Sequence, residues 1–320
     1  MRLDVGRAYA AAWRWGHRVP EPVARAAALV AADLTWLRHG SRVRRLESNL
    51  ARVRPDLDAA GIRRLSRAGM RSYLRYFAEA FTLPGRSREQ IAARVSVANR
   101  EGVQRHLDAG REVVLALGHL GNWDLAGAWA ARDLAQVTTV AERLEPEEVY
   151  QEFLRFREGI GLRIIPTSGG GDVFRQLVRA VRTGPGVMPL LADRDLTAKG
   201  VEVQLFGALA RVAVGPAALS VTTGAPLLVA GVTYERLHGP RRRAAGTRWG
   251  VRVEFLEVPV APHGLAVRDR IRVTTQAWAD LLADVIRAHP QDWHMLQRVF
   301  VEDLDPGRYA ATVAAAEATP

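Results

Sequence analysis

Two rhythms divide the chain. Up to about residue 84, apolar positions recur at helical spacing. Leu3 to Trp15 is amphipathic, a second segment runs from Pro20 to Arg38, and Arg42 to Val53 forms a basic third. A longer helix is predicted from about Ala59 to Phe81, stopped by Leu83-Pro-Gly. Beyond residue 85, short apolar runs alternate with amphipathic stretches. The runs at 113–118, 137–142, 162–165, 186–192, 203–206, 226–233 and 249–257 read as strands. Helices fit at 123–133, 147–159, 171–183 and 215–224, and a long one spans about 267–288. Alternation of this kind predicts an α/β fold: a mostly parallel central sheet covered by helices, preceded by a helical amino-terminal region. The expected units are a helical region over 1–84, an α/β core over 85–305 and a flexible Ala-rich tail over 306–320. Arg236 to Thr247, with Gly239-Pro-Arg-Arg-Arg, reads as an exposed basic loop between two strands.

Charge adds a partner to this picture. The 320 residues carry a net charge of +11, with Lys199 the only lysine, which favours an anionic partner such as a phospholipid surface or a phosphate-bearing substrate. Nucleic-acid binding is not expected, because no recognisable module accompanies the charge. Trp13, Trp15 and Trp36 lie among arginines in the first forty residues, a composition suited to interfacial docking of that region at a membrane. Val23 to Leu37 is interrupted by Arg25 and Asp33, so no segment reads as a membrane span, and the amino terminus lacks signal-peptide character. With no cysteine, thiol chemistry and disulfides are excluded. The expected location is peripheral, on the cytoplasmic face of the cell membrane.

Chemistry concentrates at one place. In Gly118-His-Leu-Gly-Asn-Trp-Asp, His119 falls just past a buried strand and Asp124 lies in the first turn of the next helix. Ligand sites in parallel sheets lie beyond the carboxyl ends of strands. An imidazole there can take a proton from a hydroxyl, and a nearby carboxylate can fix its tautomer. No Ser or Cys nucleophile accompanies the pair and no Gly-x-Ser-x-Gly elbow occurs, which points to direct transfer without a covalent enzyme intermediate. Backbone amides at the start of the Asn122 helix, or the Arg194 side chain, are candidate donors to an oxyanion. Tyr73, Phe77 and Phe81 recur at helical spacing and, with Trp123, are candidates to line an apolar channel; a core role is the other reading of that stripe. Gly169-Gly-Gly lacks the ending of a phosphate-binding loop, His294 beside Trp293 reads as core or cleft packing, and no cluster has metal-ligand spacing.

The block around His119 resembles the His-x4-Asp motif of the lysophospholipid acyltransferase superfamily, in the version of the bacterial lipid A acyltransferases and phosphatidylinositol mannoside acyltransferases. Further blocks follow in order: Arg44-Arg-Leu-Glu-Ser-Asn-Leu-Ala-Arg-Val, Ser72-Tyr-Leu-Arg-Tyr-Phe-Ala-Glu-Ala-Phe, Ala192-Asp-Arg-Asp-Leu, Val203-Gln-Leu-Phe-Gly, Gly215-Pro-Ala-Ala-Leu, Thr223-Gly-Ala-Pro and Pro290-Gln-Asp-Trp-His-Met-Leu-Gln. The Asp-Arg-Asp-Leu and Trp-His-Met-Leu-Gln versions look closest to actinobacterial mannoside enzymes. The resemblance implies a glycerolipid acyltransferase-like fold. It also implies transfer of a long-chain acyl group from acyl-CoA to a mannose hydroxyl of a phosphatidylinositol mannoside, an anionic glycolipid, with no cofactor. A lipid A-type or lysophospholipid acceptor, or an inactive lipid-binding relative, is the alternative. In such relatives His119 would be the general base, with Asp124 orienting it or holding the local structure. A second acid would act as relay partner, best matched by Asp193 in place of glutamate, with Asp195 as rival. Glu142 and Arg157 occupy positions matching an acid and an arginine that support the site.

Overall fold

The computed structural model describes residues 15–141, 147–166, 173–197 and 199–317. The predicted helix at Leu3 to Trp15, Gly169-Gly-Gly and Glu142 fall outside the described residues, apart from Trp15 itself.

The amino-terminal helices are α1 (Glu21–Arg38), α2 (Ser41–Val53) and α3 (Ala59–Thr82). Pro occupies the first turn of α1, where its missing N–H costs nothing, and Asp58 Oδ1 caps α3 by accepting from the Gly61 amide at 2.6 Å. Ala32, Val43, Leu46, Leu50 and Met70 bury a small core that also takes in Leu296. Trp36 belongs to this packing rather than to an open surface: its indole N–H donates to Ser66 Oγ at 3.0 Å and Arg63 covers its ring.

Next come α4 (Arg88–Arg94), β1 (Val95–Ala98), α5 (Arg100–Asp108), β2 (Glu112–Leu117), α6 (Trp123–Asp133), β3 (Val137–Ala141), α7 (Glu147–Gly159), β4 (Leu162–Pro166), α8 (Val173–Val181) and β5 (Gly186–Leu191). The chain continues through β6 (Val201–Leu205), β7 (Ala208–Val212), α9 (Gly215–Thr223), β8 (Leu227–Arg236), α10 (Gly239–Ala245), β9 (Trp249–Glu257), α11 (Val267–Ala288) and α12 (Pro306–Glu317). Seven strands form one sheet in the order β1-β9-β8-β2-β5-β3-β4, parallel except for the β8–β9 pair. All six residues of β2 are buried, because helices cover both faces. Val113, Leu115 and Leu117 point to the side of Leu125 and Trp129 on α6, while Val114 and Ala116 point to the side of Trp278 and Ile286 on α11.

Three expectations change. The run at 203–206 leaves the central sheet and pairs with β7 as a separate antiparallel hairpin. Only Phe206 and Gly207 separate the strands, at φ 52° and 80°, and a two-residue turn of that hand permits only antiparallel pairing. The basic loop at Arg236 to Thr247 contains α10, started by Pro240 and closed by left-handed Gly246, with Ala245 fully buried and the helix packed on α4. The Ala-rich end, expected as a flexible tail, is helical over Pro306–Glu317.

Candidate active site

β1 lies on one side of β2 in the sheet and β3, β4 and β5 lie on the other, with β8 and β9 returning to the first side. The strand order therefore reverses beside β2, at the kind of topological switch point where parallel sheets bind ligands. Leu117 at its end pairs in register with Leu191 at the end of β5, and the Ala192 amide donates to the Leu117 carbonyl at 2.8 Å. His119 and Asp193 each stand two residues beyond those paired ends. His119 Nδ1 lies 2.6 Å from Asp193 Oδ1, and the His119 amide donates to Asp193 Oδ2 at 2.9 Å. A third element closes around the pair. Residues 292–294 run antiparallel along 119–121, with the Gly121 amide on the Asp292 carbonyl and the His294 amide on the His119 carbonyl. This places the Trp293 indole N–H 2.9 Å from Asp193 Oδ2. Gly121 is required there: its φ is +60°, and a Cβ would meet the Val232 carbonyl oxygen at 2.3 Å.

Asp193 is buried, which raises its pKa, but the His119 charge and the three donated hydrogen bonds outweigh that and hold it below the ordinary 3.8. Burial likewise pulls His119 down, while the Asp193 charge and hydrogen bond outweigh it and hold the imidazole above 6.5. An ionised carboxylate only accepts, so Nδ1 carries the proton and Nε2 presents the lone pair.

Of the two roles open to Asp124 in the sequence, orienting His119 or holding the local structure, its contacts fit the second. Its carboxylate is buried, accepting from Tyr76 Oη at 2.7 Å and from Arg157 Nε at 3.0 Å. It thus ties α6 to α3 and α7 below the histidine. Asn122 caps α6 by accepting from the Leu125 amide and donates to Glu79 Oε2 at 2.8 Å, so both ends of its amide take part in holding the structure. Asp195 is not at the ring: its Oδ1 accepts from the Thr197 amide in the following turn. Arg194 lines the cavity and donates to the Arg298 carbonyl at 3.0 Å.

His119 opens onto a cavity of about 1340 Å³. Its wall combines apolar residues, among them Val140, Phe153, Leu162 and Leu191, with the arginines Arg42, Arg45, Arg157, Arg194, Arg211 and Arg298. Tyr73 and Trp123 are on its wall. Phe77 and Phe81 are not among the lining residues: Phe77 packs edge-on against Tyr73 and Tyr76, and Phe81 lies behind Phe77. The stripe on α3 therefore splits, because α3 turns only one edge of it toward the cavity. Among the described residues no trio of His, Asp or Glu is placed to hold a metal ion. Sequence reading missed Trp293, Tyr76 and Glu79 as parts of the site. All three were inside the blocks quoted for the resemblance, but their partners lie far away in sequence and left no local signal.

The model of the bacterial lipid A biosynthesis acyltransferase family matches residues 5–302. Over 309 residues the chain is 36% identical to a phosphatidylinositol mannoside acyltransferase of Mycolicibacterium smegmatis (strain ATCC 700084 / mc(2)155), covering 96% of this chain and 94% of that one. Over 306 residues it is 39% identical to a phosphatidylinositol mannoside acyltransferase of Mycobacterium tuberculosis (strain CDC 1551 / Oshkosh), covering 95% of this chain and 90% of that one.

Proposed function

The chain belongs to the bacterial lipid A biosynthesis acyltransferase family, and on that premise we propose that it moves a long-chain acyl group from acyl-CoA to a mannose hydroxyl of a phosphatidylinositol mannoside. The observation that carries this reading is the His119–Asp193 pair on a cavity whose wall combines apolar side chains with several arginines. The acyl chain lies against the apolar side chains Val140, Phe153, Leu162 and Leu191. Phosphates of the donor and of the anionic acceptor face Arg42, Arg45, Arg194 and Arg298.

His119 Nε2 takes the proton of the acceptor hydroxyl as its oxygen attacks the thioester carbonyl. Asp193 keeps Nδ1 protonated and stabilises the imidazolium that forms. The amides of Trp123 and Asp124, in the first turn of α6, are helix-start donors for the oxyanion. Collapse of the tetrahedral adduct breaks the carbon–sulfur bond, and the imidazolium returns its proton to the departing thiolate. Asp124, Arg157 and Tyr76 hold the floor of the site.

Membrane contact falls to α1. Val23, Val30, Leu34 and Leu37 form one stripe along it and are 57%, 60%, 49% and 64% exposed. No described helix is long and apolar enough to cross a membrane. A solvent-facing apolar stripe beside basic residues suits an anionic lipid surface, here the cytoplasmic face of the membrane.

The test is His119→Ala assayed with palmitoyl-CoA and a phosphatidylinositol mannoside. Transfer should fall by about 10²–10⁴-fold with the fold retained; full turnover in the variant would overturn the assignment. The family's name keeps a lipid A-type disaccharide as the second acceptor, and a side-by-side assay of the two decides between them.

A further inference from the structure

A second histidine stands beside His119 and has no part in the steps above. His294 is 6% exposed and lines the same cavity. The two imidazoles share a neighbour, the Trp123 indole, with ring centroids at 5.7 Å from His119 and 6.2 Å from His294.

The protons around His294 can be assigned one by one. Asp292 Oδ2 accepts from the Tyr234 amide at 2.9 Å, and Oδ1 accepts from the Ser72 hydroxyl at 2.8 Å. A hydroxyl has one proton, and Ser72 has given it to Asp292. Ser72 Oγ therefore meets His294 Nε2, 3.0 Å away, as an acceptor, and Nε2 must carry the N–H. That fixes the tautomer and leaves Nδ1 as a bare lone pair. Nδ1 is buried with no hydrogen-bond partner among the described residues. Burial, with the positive charge of Arg75, pushes the ring down to about 3, so it stays neutral at working pH. A buried acceptor held unpaired by a three-residue relay is a costly arrangement unless a ligand completes it.

We propose that His294 Nδ1 accepts a hydrogen bond from a second hydroxyl of the polyol substrate, adjacent to the hydroxyl that His119 deprotonates. The inference rests on the acyl-transfer reading. A nitrogen that can only accept selects for a hydroxyl or an amide N–H and against an ether or phosphate oxygen. Sugars present neighbouring hydroxyls, so one can sit on His119 Nε2 while the next reaches His294. Amide N–H groups of the thioester donor offer the same chemistry from the other substrate, and separate Michaelis constants tell the two apart.

Two variants make the test. His294→Gln keeps a donor near the Nε2 position against Ser72 but removes the δ acceptor. His294→Asn places an amide oxygen where Nδ1 stands and gives up the Ser72 contact. With palmitoyl-CoA and a phosphatidylinositol mannoside, the Gln variant should raise the acceptor KM by about tenfold, while Asn restores it to within about threefold of the parent protein. The palmitoyl-CoA KM should move far less than the acceptor KM, and thermal melting of both variants should show a single folded state. The reverse order, with Gln normal and Asn impaired, would assign His294 a structural role through Ser72 and overturn the proposal. An unmoved acceptor KM in both variants, or a shift in the palmitoyl-CoA KM instead, would overturn it as well. Failure of the underlying reading is distinct: the parent protein itself would then not acylate the mannoside.

Discussion

At His119 two effects compete, and in the proposed chemistry their balance sets the pH dependence. Burial alone would lower the imidazole, but Asp193 holds it above 6.5, and only the neutral ring can act as base. Activity should therefore rise with pH through that elevated value. Asp193→Asn removes the charge but keeps the shape. The acid limb of the kcat/KM profile should move to lower pH, with a rate loss of about 10²–10⁴-fold from the altered tautomer; an acid limb that stays in place would refute the relay. Stability follows the same pair with opposite signs. The raised His119 pKa contributes stability that is full below 6.5 and lost as pH climbs through the folded value. The lowered Asp193 pKa contributes above 3.8 and is lost as pH falls through its folded value. Their joint contribution is greatest between pH 3.8 and 6.5.

Between elements, the important joint is the start of α6. Asp124 binds Arg157 of α7 and Tyr76 of α3, and the Asp124 and Arg157 side chains are 1% and 9% exposed. Removing one partner leaves a buried charge unpaired. Asp124→Ala should lower unfolding free energy by about 3–5 kcal/mol, read by urea titration, and Asp124→Ala with Arg157→Ala should cost less than the two single changes added together. Strict additivity would mean the pair is not coupled. The His-x4-Asp spacing was legible because both residues sit within one strand–turn–helix unit. That spacing does not tell which group the Asp side chain meets, since Asp at the second position of α6 points toward neighbouring helices rather than back at the turn. The two-residue turn at Phe206-Gly207 was similarly present in the sequence, and its glycine carries the signal that moves β6 out of the sheet.

Over the whole molecule, the amino-terminal helices and the α/β core are joined at the site. Asn49 on α2 donates to the carbonyls of Met295 and Gln297, and Ser72 on α3 donates to Asp292. The segment carrying Trp293 and His294 is thus held from one side by the region whose outer face exposes the α1 stripe. Val30→Glu with Leu34→Glu should reduce co-sedimentation with phosphatidylinositol-containing vesicles by at least about tenfold, because burying each apolar side chain is worth about 1.5–3 kcal/mol. Transfer to detergent-dispersed acceptor should persist. Vesicle binding equal to that of the parent protein would remove α1 from the membrane contact.

Most of the elements in their order, their periods and the histidine beyond a strand end were determined by the sequence itself, whereas the short β1, β7, α4, α5 and α10 were not predicted from it. Each of the former depends on side chains within a few residues of one another, where burial leaves a periodic mark. The partner of that histidine was not determined in this way. Asp193 is 74 residues away, and it meets His119 because β2 and β5 pair in register so that their ends coincide. The bare nitrogen of His294 is more distant still from local pattern, since it follows from a serine on α3, a carboxylate after α11 and an amide on β8 converging. Contacts of this range are decided by strand register and helix packing, and only the folded chain contains them.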